Sequence, residues 1–581
     1  MQEILQAREG VERSTRRFEL TRELAAAALV LAFAAVLYGS LFNRETTLSY
    51  SLGYNLYGAE RVLEGDVPYR DFHTLYPPAT VYVNAALFKL FGISLYVALF
   101  GVFVFKALTT LGLYLCARRL MPVSLAVIAA LSSLVWLRPN GPFKAVPMHY
   151  GGLFLAFALL LLLAYARRPK GSYAFGAGIL LGLLALFKHN IGAYALLGAL
   201  AVVFLQAGAS GFKFAFKTEE FKKAWLLILG FALPIIPVLV YMQARGALAP
   251  MTRALLFGPG EFLLSRLAAT PSPVIPVAGL VFLAACALAA RRLRGRGPAL
   301  DALLILSLLS VSAFTLLADQ GAVDKVIFYA PAFVLAGGLA ALVFRRGAGD
   351  FELKEMTAVG MAAAAAFMES FPRFAREQAV GAMPFVVLLL LYLFHSFRPA
   401  LSKYVGGRRQ AGLAFAILPL AFFLIGSRLF ASIYFEGGPR LRSRTALTFE
   451  RGAGVYFPEG KAREITDVVD YLRARVPEGG YFFAQSYAGS SYLFLADRRN
   501  PSGAQFWGGV GVSDQERAET LASLDALRVG LIVTSEKDLA AESYGPMRDF
   551  ISENFKSCRS FGEVLVLERR EPAGETERNH R

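Results

Sequence analysis

Apolar runs of roughly 15–22 residues recur along the chain, separated by short polar links, and that length suits a hydrocarbon core of ~30 Å at ~1.5 Å per helical residue. The pattern predicts a first membrane helix over Leu24–Phe42 and a polar region from Asn43 to Pro78. An amphipathic stretch, Ala79–Phe91, follows and closes on Gly92. Further apolar segments are centred near residues 105, 129, 158, 180, 198, 234, 281, 308, 335, 363, 389 and 420. In lipid only helices satisfy every backbone polar group within one segment, so these segments are expected to be helical.

After Phe430 the pattern changes. Ala462–Arg475 has helical periodicity, with Ile465, Val468, Val469 and Leu472 on one stripe. Strand-like runs follow at Tyr481–Phe483, Val529–Val533 and Val564–Leu567, with helical stretches near Asp514–Leu524 and Met547–Asn554 between them. Such alternation is expected of an open sheet with covering helices. The fold class is therefore an α-helical polytopic membrane protein with a C-terminal soluble α/β domain. Its expected parts are an N-terminal segment (1–23), a membrane domain (24–430) with a first outer loop (43–92), an α/β domain (431–570) and a disordered polar tail (571–581).

Composition agrees with the pattern: 56% of the 581 residues are hydrophobic and the mean hydropathy is +0.49. The net charge of +17 would suggest nucleic acid in a soluble protein, but here the positive charges sit in alternate links. They fall at Arg118-Arg119, Arg167–Lys170, Lys213–Lys223, Arg291–Arg296, Arg345-Arg346 and Lys403–Arg409, with Arg16, Arg17 and Arg22 before the first span. The links alternate cleanly if Ala79–Phe91 stays at the interface. That gives about 13 spans, the N-terminus in the cytoplasm and the α/β domain outside. The three cysteines, Cys116, Cys286 and Cys558, have neither metal-ligand nor disulfide spacing. The N-terminus lacks the form of a cleavable signal peptide, its first apolar run being long and late.

The outer links carry individually placed polar residues instead of basic blocks. Lys188-His189-Asn190 interrupts an apolar run with almost no loop, so these groups lie near the membrane boundary. They read either as a snorkelling corner or as a lysine poised over a lipid phosphate. The segment Gly65–Pro78, GDVPYRDFHTLYPP, offers an acid, a base and aromatics in a proline-stiffened loop. It reads either as a structural loop with an Arg70–Asp71 pair or as an active-site loop with Asp71 as general base.

The stretch Gly53–Gly92, with its P-Y-R-D-F turn, its Y-P-P and its closing L-F-x-L-F-G, resembles the first outer loop of the GT-C membrane glycosyltransferases. In particular it resembles bacterial relatives of the protein mannosyltransferases and of the lipid A aminoarabinose transferase. LFKHNIGAYALL around Lys188, FPRFAREQAVGAMP from Phe371, and YFFAQSY with DRRNPSGAQFW in the C-terminal region are similar as well. The resemblance implies transfer of a sugar from a polyprenyl-phosphate donor to an extracytoplasmic hydroxyl of a lipid, glycan or protein, with inversion. It also implies a GT-C-like arrangement in a bacterial inner membrane, with the bilayer and the lipid-linked sugar as partners and no nucleic acid. No cofactor or protein-bound metal is expected, although a divalent ion stays open.

The family's usual acid falls on Ser51 here, which directs the catalytic role to Asp71, with Glu45 and Glu60 behind it. In the FPR stretch the family's acid and histidine slots read Ala375 and Gln378. Lys188, Arg373 and Arg70 are the candidates for the donor phosphate, since cations stabilise charge developing on a leaving phosphate. His73, Tyr76, His189, Asn190 and Gln378 are candidates for substrate contact. Two other classes compete: a lipid-linked-sugar flippase or transporter, and an O-antigen-type polymerase or ligase. Internal repeats and charged mid-membrane positions would mark the first. A large late outer loop without an α/β domain would mark the second.

Overall fold

The computed structural model describes residues 2–48, 50–136, 143–208, 211–214, 216–257, 349–370, 376–404, 444–484, 489–503, 514–540 and 545–570, with 327, 329, 331–339, 420, 423–428 and 431. The expected spans near 281 and 308, most of that near 420, and the tail lie outside them. So does Arg373.

Among the described residues nine helices order the chain up to Ala244: α1 (Gln2–Gly39), α2 (Tyr50–Leu63), α3 (Ala79–Phe91), α4 (Leu95–Leu120), α5 (Val123–Leu134), α6 (Pro147–Arg167), α7 (Gly171–Phe187), α8 (His189–Phe204) and α9 (Thr218–Ala244). A short antiparallel hairpin, β1 (Leu205–Gly208) with β2 (Gly211–Phe214), joins α8 to α9. Helices over Asp350–Phe367 and Arg376–Tyr404 follow. Among the described residues five helical segments are long and apolar enough to cross a membrane: Thr21–Gly39, α4, α6, α9 and Gln378–Arg398. The first helix starts at Gln2, well before the expected Leu24, because the Glu, Arg, Gln and Leu of that polar stretch favour helix as much as the apolar run does.

Local chemistry sets the ends. Ser94 Oγ accepts from Val97 N at 3.2 Å to cap α4, Pro147 opens α6 where no amide donor is needed, and Gly92 ends α3 at φ +92°. α7 and α9 meet backbone to backbone across glycines. A Cβ on Gly178 would lie 2.1 Å from the Leu227 carbonyl oxygen, and one on Gly182 would lie 2.2 Å from that of Phe231. Small residues four apart permit this approach. Gly182→Val should therefore push α9 off α7 and cost about 3 kcal/mol. An unchanged thermal midpoint in detergent would show that the helices do not need the contact.

Ion pairs collect the basic links at one end of the bundle. Arg118 meets Glu23 at 2.5 Å, Arg167 meets Glu355 at 3.4 Å, and Arg167 also donates to the Arg119 carbonyl. The start of the first apolar segment and the end of α4 thus share a face. α3 lies between α1 and α4 at the opposite end. There it packs on Tyr150 through Asn84 (3.0 Å) and on Phe494 through Phe88 (ring centroids 5.7 Å apart).

The chain beyond Arg444 forms a hairpin, β3 (Arg444–Ala446) with β4 (Tyr456–Pro458), then a helix over Glu459–Arg475. A four-stranded sheet of order β5-β6-β8-β7 follows: β5 (Phe483–Ala484), β6 (Leu531–Thr534), β7 (Phe555–Phe561) and β8 (Val564–Arg569). β5 and β6 run parallel, and the other pairs are antiparallel. Every residue of β6 is buried, as its unbroken apolar run LIVT anticipates. One core unites this unit with the outer loop: Tyr57, Phe72 and Phe88 pack in the same cluster as Phe457, Val468 and Phe494.

Candidate active site

The site is built where the first outer loop meets the C-terminal unit. Just after α1, Asn43–Glu45 lies along β4. Glu45 N donates to Tyr456 O (2.9 Å), Tyr456 N to Asn43 O (2.8 Å), and Asn43 Nδ2 to Gly454 O (2.9 Å). The Arg444 guanidinium closes the far side through Nη1 to Glu45 O at 2.9 Å. Glu45 is thereby fully buried, and neither carboxylate oxygen has a hydrogen-bond partner among the described residues. Burial pushes its carboxyl up to about 7, opposed first by the charge of Lys144 and then by that of Arg444. Lys144 sits in the strand-like approach to α6, fixed by Asn55 Nδ2 on Ala145 O (2.8 Å) and by His149 Nδ1 on the Lys144 carbonyl oxygen (2.7 Å).

Asp71 has a different environment. Its two oxygens accept from Arg70 Nε (2.9 Å), Arg70 Nη2 (2.7 Å) and Val67 N (2.7 Å). The Arg70 hydrogen bonds hold its carboxyl below the usual range. The turn it closes places Tyr69 at φ +69°, a left-handed position that the Val67–Asp71 hydrogen bonds stabilise. Arg70 also donates to the Arg245 carbonyl at the end of α9 (3.0 Å). The P-Y-R-D-F motif is thus a self-capped turn that anchors the loop to α9.

Glu60 projects from α2 into the seam, where Arg451 Nη2 reaches it at 2.5 Å and reaches Asp497 at 2.6 Å. Burial raises the Glu60 carboxyl, and the Arg451 hydrogen bond counters it. A cleft of about 180 Å³ opens here between Tyr57, Glu60, Arg61, Glu64, Asp497 and Arg499. Its charges already pair with one another, Arg499 with Glu64 at 3.1 Å among them.

Lys188 breaks α7 from α8, and its ammonium stands 4.6 Å from the Tyr76 ring centroid. It therefore lies at the same end of the bundle as Asp71. Phe187, just before it, stacks on Tyr150 at 5.7 Å, so the α6 and α7 ends that carry Lys144 and Lys188 adjoin. His73 donates its backbone N–H to Gly503 O (2.9 Å) and points Nδ1 toward Glu516 at 3.7 Å. Asn190 accepts the Ile191 N–H through Oδ1 (3.0 Å), and His189 is half-buried beside it. Gln378 opens the helix over Arg376–Tyr404, and its amide oxygen makes no hydrogen bond among the described residues. Among the described residues no group of three or more His, Cys, Asp or Glu is placed to hold a metal.

Sequence reasoning did not single out Arg444, Arg451 or Tyr456. Each acts on a residue about four hundred positions away, and local pattern carries no signal of that.

Residues 76–241, from the Y-P-P turn through α9, match the model of the dolichyl-phosphate-mannose-protein mannosyltransferase family. No curated protein matches the chain in sequence. Two solved structures are similar to it in overall arrangement. One is the oligosaccharyltransferase AglB from Archaeoglobus fulgidus, in complex with an inhibitory peptide and a dolichol-phosphate: 14% identity, 96% of this chain and 75% of that one covered, TM-score 0.47. The other is ArnT from Cupriavidus metallidurans bound to undecaprenyl phosphate: 12% identity, 94% and 98% covered, TM-score 0.44. Likenesses of this strength transfer neither a residue nor a ligand.

Proposed function

We propose that this chain is a GT-C-type membrane glycosyltransferase that moves a sugar from a polyprenyl-phosphate donor to an acceptor hydroxyl, with inversion, and that Glu45 is its general base. The observation that carries the reading is the buried, unpaired Glu45 carboxylate between two cationic side chains, at the membrane end where Lys188 also stands. A base with a pKa near the working pH takes up a proton most effectively, whereas Asp71 is held acidic by Arg70. In the step, Glu45 accepts the proton of the acceptor hydroxyl as that oxygen bonds to the anomeric carbon. The bond from that carbon to the phosphate oxygen breaks, and the polyprenyl phosphate leaves with the electron pair. Lys188, with Arg373 as a further candidate from the sequence, stabilises the negative charge on the leaving phosphate. The basic links at the far end support an extracytoplasmic site, and the proposed membrane is a bacterial inner membrane.

The test is transfer by purified protein from labelled polyprenyl-phosphate sugars to lipid, glycan and peptide acceptors. Translocation of the lipid-linked sugar without transfer would replace this reading with a flippase. Asp71→Asn keeps the shape of the turn and is expected to lower transfer by less than about tenfold, through loosening of the loop alone. A loss of the size expected for a base would return that role to Asp71.

A further inference from the structure

We infer that Arg444, at the foot of the C-terminal unit, is a positioning residue for Glu45, which makes that unit a working part of the active site. The inference rests on the role given to Glu45 above. Three observations lead to it. The acid-bearing segment has no secondary structure of its own and borrows an edge, since Arg44 bridges Tyr456 in parallel register. That edge belongs to a hairpin whose first residue is Arg444. The Arg444 side chain crosses to the carbonyl of Glu45 itself, so its charge is fixed beside the buried carboxylate by a 2.9 Å hydrogen bond. A backbone strap alone would hold the segment, but the added guanidinium brings a permanent positive charge within reach of an acid that lacks a hydrogen-bond partner of its own.

The charged groups that act on Glu45 are Lys144, from the approach to α6, and Arg444, from β3. The two cations favour the ionised carboxylate against its burial. Losing one of them raises the pKa of Glu45. A purely structural role for Arg444 would leave that value where it is, which separates the two.

The experiment compares the full chain with Arg444→Gln and Arg444→Lys, each with and without Glu45→Gln. The first readout is the pH profile of transfer, whose acidic limb is expected near pH 7 in the wild type and about one unit higher in Arg444→Gln, with Arg444→Lys returning toward wild type. The second needs no substrate: the thermal midpoint relative to the matching Glu45→Gln protein, followed against pH. Glu45 has its folded-state pKa raised above 4.5, so its contribution is full below pH 4.5, falls as pH rises and levels off near pH 7. In Arg444→Gln the fall should run about one unit further. If the wild type shows the stability titration but no transfer, the enzymatic reading fails, and only the electrostatic coupling of Arg444 to Glu45 stands. If Arg444→Gln leaves both titrations in place, Arg444 is only a strut. Should Arg444→Gln not fold, Arg444→Lys decides: a cation held less firmly moves both titrations part of the way, and unmoved titrations make Arg444 only a strut.

Discussion

Glu45→Gln should reduce sugar transfer by about 10³-fold, within the range a lost general base produces, while making the protein progressively more stable than wild type as pH rises from 4.5 to about 7. Few substitutions pair those two effects. The activity falls because an amide cannot take the acceptor's proton. The stability rises because the wild-type fold keeps a proton on Glu45 that the unfolded chain has already released, so each pH unit across the window costs it about 1.4 kcal/mol, roughly 3 kcal/mol in all. The amide carries its own constant cost, from N–H groups buried without acceptors. That offset is independent of pH and leaves the slope intact. Transfer measured at saturating donor, beside thermal midpoints at several pH values, reads both halves. Full activity in Glu45→Gln would remove the residue from the chemistry, and parallel stability curves would mean that its carboxyl is not raised.

Arg451→Met is expected to destabilise the protein by about 3–5 kcal/mol, the cost of stranding a buried partner. Arg451 and Glu60 are each about a tenth exposed, and Arg451 also donates to the Phe494 carbonyl at 2.8 Å. Removing the guanidinium leaves the Glu60 carboxylate in the seam with no counter-charge, while exposed Asp497 simply returns to water. The double variant Arg451→Met with Glu60→Gln should recover more than half of the loss, because the stranded charge has gone. Protease sensitivity of the C-terminal unit would rise in the single variant and fall back in the double. Equal losses in both would assign Arg451 a packing role instead.

The apolar runs predicted the helices α4 to α9, because period and length decide between membrane and water without help from distant residues. Ala79–Phe91 is a helix with the bounds its pattern anticipated, and the Arg118–Glu23 contact puts the start of the first apolar segment beside the end of α4. The most distinctive motif, around Asp71, proved to be distinctive for a conformational reason. A left-handed Tyr69 and a self-capped turn demand particular residues whether or not substrate is near. Glu45 gave the opposite signal. It stands in an unremarkable N-R-E-T-T string, and what sets it apart is burial by β3, β4 and the approach to α6, whose residues are remote in sequence. Partnerships across such distances leave no trace in a single chain's periodicity.

Synthesis runs from one end, and the joint core of the outer loop and the C-terminal unit imposes a delay on it. Residues such as Tyr57 and Phe72 emerge long before Phe457 and Phe494, against which they pack. Until the ribosome has delivered the stretch from Arg444 onward, the early segment has only a half-built enclosure, its ionisable Glu45 open to solvent. On the reading of Glu45 as the base, the newborn protein is therefore inert until the segment that carries Phe457 and Phe494 has emerged and folded.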